Sequence, residues 1–101
     1  RLAKSDSVWE RRIAIMSTFA FTMHGDHSPT FAIADILLHD EHDLIQKAVG
    51  WMLREVGKRV SQELEEEFLK SRYKTMPRTM LRYAIKRFEE TKRQKYLHSQ
   101  L

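Results

Sequence analysis

Trp51 follows Lys47 by four residues and precedes Arg54 by three and Lys58 by seven. On a helix those offsets bring four side chains to one face, a large aromatic in a line of three cations. The chemistry open to such a line is the holding of a polyanion that carries flat rings. Cations take phosphates, while an indole takes a base, a sugar or a cationic purine. The plainer reading is a tryptophan that covers a neighbouring repeat, with its cations simply solvated. Arg12 poses the reverse problem, because it projects from among Val8, Trp9, Ile15, Met16, Phe19, Ala20 and Met23. A cation on an apolar stripe needs a partner or a way to solvent. An Asp or a helix C-terminus in a neighbouring repeat would serve, and so would a phosphate reached across a concave surface. Arg78, Arg82 and Lys86 form a further basic row at i, i+4 and i+8.

Other chemistries find less support. His24 and His27 are three apart, as are His39 and His42, with acids beside them. Two such pairs match a four-ligand metal site in number. Both fall in polar inter-helix segments, however, where His and Asp act as caps, and no H-E-x-x-H and no cysteine joins them. The expectation is therefore no metal and no cofactor. There is no G-x-S-x-G, no thiol nucleophile and no Gly-rich phosphate loop. The acids from Glu63 to Glu67 read as a solvated helix face at the positive end of its dipole. Lys92, Arg93, Lys95 and His98 suit the negative end of another.

Helices are the elements that must position these groups. Ser7 with Glu10 makes a capping box, and the first helix runs to Met23, closed by Gly25 in a left-handed conformation. Ser28-Pro29 opens a second, Asp40 with Asp43 a third, Ser61 a fourth, and Pro77 lies in the first turn of a fifth. The expected helices are 7–24, 29–39, 41–58, 61–74 and 77–97, with no strand. In the third, Leu44, Ile45, Ala48, Val49, Met52 and Val56 form the buried stripe. Trp51 lies about 115° from its centre at about 100° per residue. The segments around Arg12, Lys47 and Arg82 are alike and recur at intervals of about 35 residues, which suggests stacked helix pairs with those cations in equivalent places.

A chain of 101 residues is one domain's worth, and its ten aromatics argue against disorder. No apolar run approaches the roughly 20 residues of a membrane-spanning helix. Abundant helix formers with three glycines and two prolines disfavour an all-β fold. A net charge of +4 permits a polyanionic partner without requiring one. The lack of cysteine rules out a disulfide scaffold and fits a reducing compartment. The chain opens at Arg1 with no signal or targeting pattern and reads as a piece of something longer.

The stretch Asp40-Glu41-His42-Asp43-Leu44-Ile45-Gln46-Lys47-Ala48-Val49-Gly50-Trp51-Met52-Leu53-Arg54-Glu55-Val56-Gly57-Lys58 resembles the DNA alkylation repair enzymes, HEAT-like alkylpurine DNA glycosylases. Trp9 to Ile15 and Met76 to Ile85 look like two further signatures of that family, in order and in spacing. The resemblance implies an α-solenoid whose basic concave groove holds duplex DNA containing alkylated purines. It also implies hydrolysis of the N-glycosidic bond of N3- and N7-alkylpurines without a metal. Arg12 matches the family's functional arginine and Trp51 its cleft tryptophan, while Lys47, Arg54, Lys58, Arg78, Arg82 and Lys86 become candidates for the DNA backbone. The family's catalytic aspartate belongs to helices before the Trp9 signature, and Asp6, Asp26 and Asp35 do not match it. On this resemblance residues 1–101 are one segment, the C-terminal portion of a larger glycosylase domain, inactive alone and cytoplasmic (nucleoid-associated if bacterial). The alternative is a HEAT-repeat scaffold that binds protein or DNA without chemistry.

Overall fold

The computed structural model describes residues 2–100. One 3₁₀ turn at Leu2–Lys4 precedes seven α-helices: α1 Val8–Met16, α2 Phe19–Met23, α3 Ser28–Ile36, α4 Asp43–Arg59, α5 Gln62–Lys70, α6 Arg78–Ala84 and α7 Glu90–Leu97. No strand occurs among the described residues, and none of the helices is long and apolar enough to cross a membrane. The fold is all-α.

Several helix ends follow the expected chemistry. Ser7 Oγ accepts from Glu10 N at 3.4 Å and Ser61 Oγ from Leu64 N at 3.2 Å, each satisfying an amide of the first turn. Gly25 has φ 86°, the left-handed exit that a residue with a Cβ adopts only with strain. Two other starts differ from expectation. Ser28 is the first residue of α3 rather than its cap; His27 holds the cap position without a side-chain bond, and Asp26 accepts from Ser28 N at 3.0 Å. His42 caps α4 through Nδ1, which accepts from Leu44 N at 3.2 Å, while Asp40 accepts from His42 N at 2.9 Å.

The expected five helices become seven because the first and the last each break. At the first break Ser17 Oγ donates to Ala14 O at 2.9 Å and Thr18 Oγ1 to Ile15 O at 2.7 Å. The Thr18 amide also turns to Ile15 O, so the chain tightens by one 3₁₀ step between α1 and α2. The second break lies between Ala84 and Glu90, where Glu89 accepts from Lys92 N at 3.2 Å and starts a new helix. The restart lets Tyr96 lie against Tyr73 with ring centroids 5.2 Å apart, and its hydroxyl donates to Glu66 at 2.9 Å.

The apolar stripe expected on the first helix is rotated. Ala14, Ile15, Thr18 and Thr22 face inward, flanked by Val8, Met16 and Phe19, whereas Trp9 is 68% exposed and Ala20 and Met23 also face outward. The cause is a chain of hydroxyls that apolar periodicity cannot register. Thr22 and Thr30 Oγ1 atoms are 3.0 Å apart, and Thr30 Oγ1 donates to Thr18 Oγ1 at 2.9 Å. On α4 the stripe holds from Ile45 to Val56, but Leu44 is exposed.

The molecule measures 37 × 30 × 18 Å, and 18 Å is less than two helix diameters of about 10–12 Å each, so interlocking helices form a thin slab. Within it α4 packs most extensively against α6, and then against α1 and α5. The α4–α6 contact closes on Gly50, where a Cβ would stand 2.5 Å from both Met80 O and Tyr83 Cβ. A backbone carbonyl and a Cβ fixed to its own backbone leave no room to yield. Gly50→Ala should therefore destabilise the fold by about 1–3 kcal/mol despite the better helix propensity of Ala. Urea unfolding would check this, and a midpoint equal to or above that of the parent would refute it.

Candidate nucleic-acid interface

The length of α4 places Trp51 beside its cations. Gly50 turns one side of the helix onto α6, and Trp51, one residue further round, stays 38% exposed. Its indole Nε1 donates to Glu55 Oε2 at 3.2 Å, while Arg59 Nε donates to Glu55 Oε1 at 2.7 Å. Arg59 in turn lies over the Phe19 ring of α2, 5.1 Å from its centroid. Burial of the Glu55 carboxyl acts to raise its pKa. Hydrogen bonds from Arg59 and Trp51, with the charges of Arg59 and Lys58, outweigh burial and hold it below 4.5. Glu55 is thus an anion at neutral pH that fixes the indole. Sequence reading did not single it out, although its position at i+4 from Trp51 and i−4 from Arg59 carried the signal.

The cations divide into groups. Lys47 Nζ pairs with Asp43 at 2.9 Å, and that hydrogen bond and charge, with a smaller effect of Tyr83, raise the lysine pKa. Arg54 sends Nη1 towards Tyr83 O at 3.5 Å. Arg54 and Lys58 line one open recess with Glu55, Lys86 and Arg87, so three of the expected backbone candidates, Arg54, Lys58 and Lys86, come together. Lys86 does so from the turn after α6, since the helix expected to carry it has already ended. Arg87 belongs to the same group and was missed, because a continuous helix would have aimed it elsewhere. Arg78 and Arg82 are exposed on α6. They do not line this recess.

Arg12 is half-buried on α1, which packs against α4, and it forms no ion pair or hydrogen bond among the described residues. The structural pairing considered for it belongs instead to Arg11. That guanidinium donates to Asp40 at 2.8 Å and to Ser5 O at 3.0 Å. The histidines are dispersed among local tasks. His24 Nδ1 lies 2.8 Å from Ala20 O, His27 packs edge-on to Phe31, His39 Nε2 lies 3.4 Å from Thr75 Oγ1, and His42 is a cap.

The acidic run corrects the sequence reading. Glu63 and Glu67 are exposed as expected, but Glu65 is 1% exposed and Glu66 is also buried, so only half of the cluster is a solvated face. Glu66 accepts from Lys92, Gln62 and Tyr96, each at 2.9 Å, which compensates its burial. Tyr96 entered the interior only because α7 restarts, and no pattern in the acidic run itself announced that.

A family model for DNA alkylation repair enzymes matches residues 1–88. The chain belongs to the DNA alkylation repair enzyme family. Comparisons with curated proteins and with solved structures return no match. Membership of this family points to DNA as the class of substrate and to an enzyme's role.

The Glu55 link has a measurable consequence. A carboxyl with a lowered folded pKa contributes stability above its unfolded value, and the contribution disappears as pH falls through the folded value. In a Trp9→Phe background, Trp51 fluorescence should hold steady from neutral pH and change only below about pH 4.5. Glu55→Gln should remove that acid transition. An unchanged transition in the variant would assign it to another carboxyl.

Proposed function

We propose that residues 1–101 form one HEAT-like helical segment, the C-terminal, DNA-holding portion of a DNA glycosylase domain. The domain hydrolyses the N-glycosidic bond of positively charged N3- and N7-alkylpurines in duplex DNA. The observation that carries the reading is the Trp51 indole, fixed by Glu55 yet open to solvent, on a helix whose Arg54 and Lys58 meet Lys86 and Arg87. Family membership supplies the DNA.

An alkylated purine already carries positive charge and is a good leaving group. Loss of the base leaves an oxocarbenium-like sugar, which a carboxylate stabilises or to which it directs water. Trp51 contributes an aromatic wall to the lesion or its sugar, where a π face favours a cationic ring. Arg12 anchors a phosphate, and Lys47, Arg54, Lys58, Arg78, Arg82 and Lys86 hold the backbone. None of these can replace the carboxylate, and no aspartate of this chain matches the family's catalytic position. The reaction needs neither metal nor cofactor, and its setting is the cytoplasm, on the nucleoid if the source is bacterial.

A non-catalytic repeat scaffold is the second reading, favoured by the outward Trp9, Ile13 and Met23 on α1 and α2. Salt separates the two. Removal of one cation that touches a phosphate should reduce the slope of log affinity against log salt by about one. Lys47→Ala and Arg78→Ala should each weaken duplex binding across sequences and lower that slope. Trp51→Ala should leave the slope nearly unchanged and reduce excision by the full-length enzyme. The 101 residues alone should release no N7-methylguanine from methylated DNA above the spontaneous rate. Salt-insensitive binding would favour the scaffold, and robust base release would overturn the assignment of the acid.

A further inference from the structure

Among the described residues Glu65 is the buried acid with an unpartnered buried oxygen. Its side chain comes from α5 and lies against Gly57 of α4, where a Cβ would run into Oε1. Oε2 is buried and has no hydrogen-bond partner. Glu65 also lines a recess of about 190 Å³ whose other polar walls are Arg54, Lys58, Gln62 and Arg87. A water takes about 30 Å³ in the liquid, so the recess has room for a group several waters in size.

The chemistry of the walls is one-sided. Arg54, Lys58 and Arg87 only donate hydrogen bonds, and among the described residues none of the three is in an ion pair with a carboxylate. The Gln62 amide nitrogen is already given to Glu66. Burial first, and the charge of Glu66 second, push the Glu65 carboxyl up to about 9 against the opposing charge of Arg54. At neutral pH it therefore carries a proton, and a protonated carboxyl is one more donor. The recess sets three cations and a hydroxyl donor against two neutral acceptors, the Gln62 amide oxygen and the Glu65 carbonyl oxygen, and an oxyanion supplies the negative acceptor that the cations lack.

We propose that this recess is a seat for a single phosphate group, gripped by Arg54, Lys58 and Arg87, with the Glu65 carboxylic acid donating to one of its oxygens. The proposal rests on the DNA-holding reading for the source of the group, a backbone phosphodiester. Free phosphate offers the same oxygens. Glu65 makes the seat sensitive to whether its occupant is an acceptor, a discrimination that cations alone do not provide.

Three variants of the chain test it. Glu65→Gln keeps a neutral donor and should bind duplex within about twofold of the parent at pH 7. Glu65→Met removes the donor without altering charge, and should bind about tenfold more weakly with an unchanged salt slope. Arg87→Gln should weaken binding and lower the slope by about one. Should Glu65→Met fail to fold, pH serves in its place. The groups facing Glu65 are Arg54 and Lys58 from α4, Glu66 from its own helix, Arg87 from the turn after α6 and Tyr96 from α7. Glu65→Gln keeps all of them, so any extra loss of affinity in the parent between about pH 8 and 10 belongs to Glu65. Coincident pH profiles, tighter binding by Glu65→Gln, or full affinity in Glu65→Met would each overturn the proposal. Titration with inorganic phosphate, followed by the Gly57 amide and Arg87 Nε–H signals, separates the two sources. Shifts with phosphate but no duplex binding would keep the seat and defeat the DNA reading. Duplex binding that is indifferent to all three variants would keep the DNA reading and defeat the seat.

Discussion

The contact of α4 with α6 across Gly50 is the constraint from which the rest of the surface follows. The bare Gly50 backbone meets the Met80 carbonyl and the Tyr83 Cβ directly, which fixes the separation of the helices to within a few tenths of an ångström. That separation sets how far the Tyr83 carbonyl lies from Arg54, and where the turn after α6 arrives relative to Lys58. Trp51 owes its exposure to the same contact, since the residue before it faces directly into the seam. The aromatic and the cations are thus positioned by a residue that has no side chain of its own.

Polar groups in the interior do a second kind of positioning. Glu66 gathers Gln62, Lys92 and Tyr96 around one carboxylate and binds α7 to α5. The energetic logic is that removing any one donor leaves a buried charge less well satisfied, which costs more than the bond itself contributes. Arg11 and Asp40 do the same between α1 and the segment before α4, with both side chains largely buried. Glu65 departs from this pattern. Its neighbour on the helix is fully satisfied, while it faces a wall of donors with one oxygen unmatched. Two adjacent acids on one helix therefore have opposite characters, one held ionised by its partners and one held neutral by burial.

Helix content, most helix starts and the anomalous place of Trp51 were legible in the sequence, because caps and a period of 3.6 are local signals. Ser7, Gly25 and Ser61 each act within a few residues of themselves. What could not be read depended on side chains meeting from far apart. The rotation of α1 came from Thr18 and Thr22 reaching Thr30. The burial of Glu65 and Glu66 came from Gly57 and from Tyr96. The membership of Arg87 in the basic recess followed from the end of α6 at Ala84, which puts Arg87 in the turn before Glu89 caps α7. Arg12 was read as a cation on an apolar stripe, but that stripe is rotated, and the ion pair that its helix does make belongs to the residue beside it.

The threonine chain between α1, α2 and α3 has a direction. Thr30 donates to Thr18, and Thr18 donates to the Ile15 carbonyl, so Thr22 must supply its own hydrogen to Thr30. Every hydroxyl hydrogen runs towards the same carbonyl, and the members are not equivalent for that reason. Valine at position 22 would remove the first donor and strand no hydrogen. Valine at position 18 would take away the acceptor on which Thr30 depends and force the remaining pair to reverse or go unpaired, inside a region closed to water. Sequence drift through this trio consequently has a preferred order, with Thr22 free to change first and Thr18 last. A lineage that had already replaced Thr22 and Thr30 would find Thr18 no harder to lose than an ordinary helix threonine. Tolerance to substitution at the three positions should therefore follow hydrogen-bond polarity rather than depth of burial.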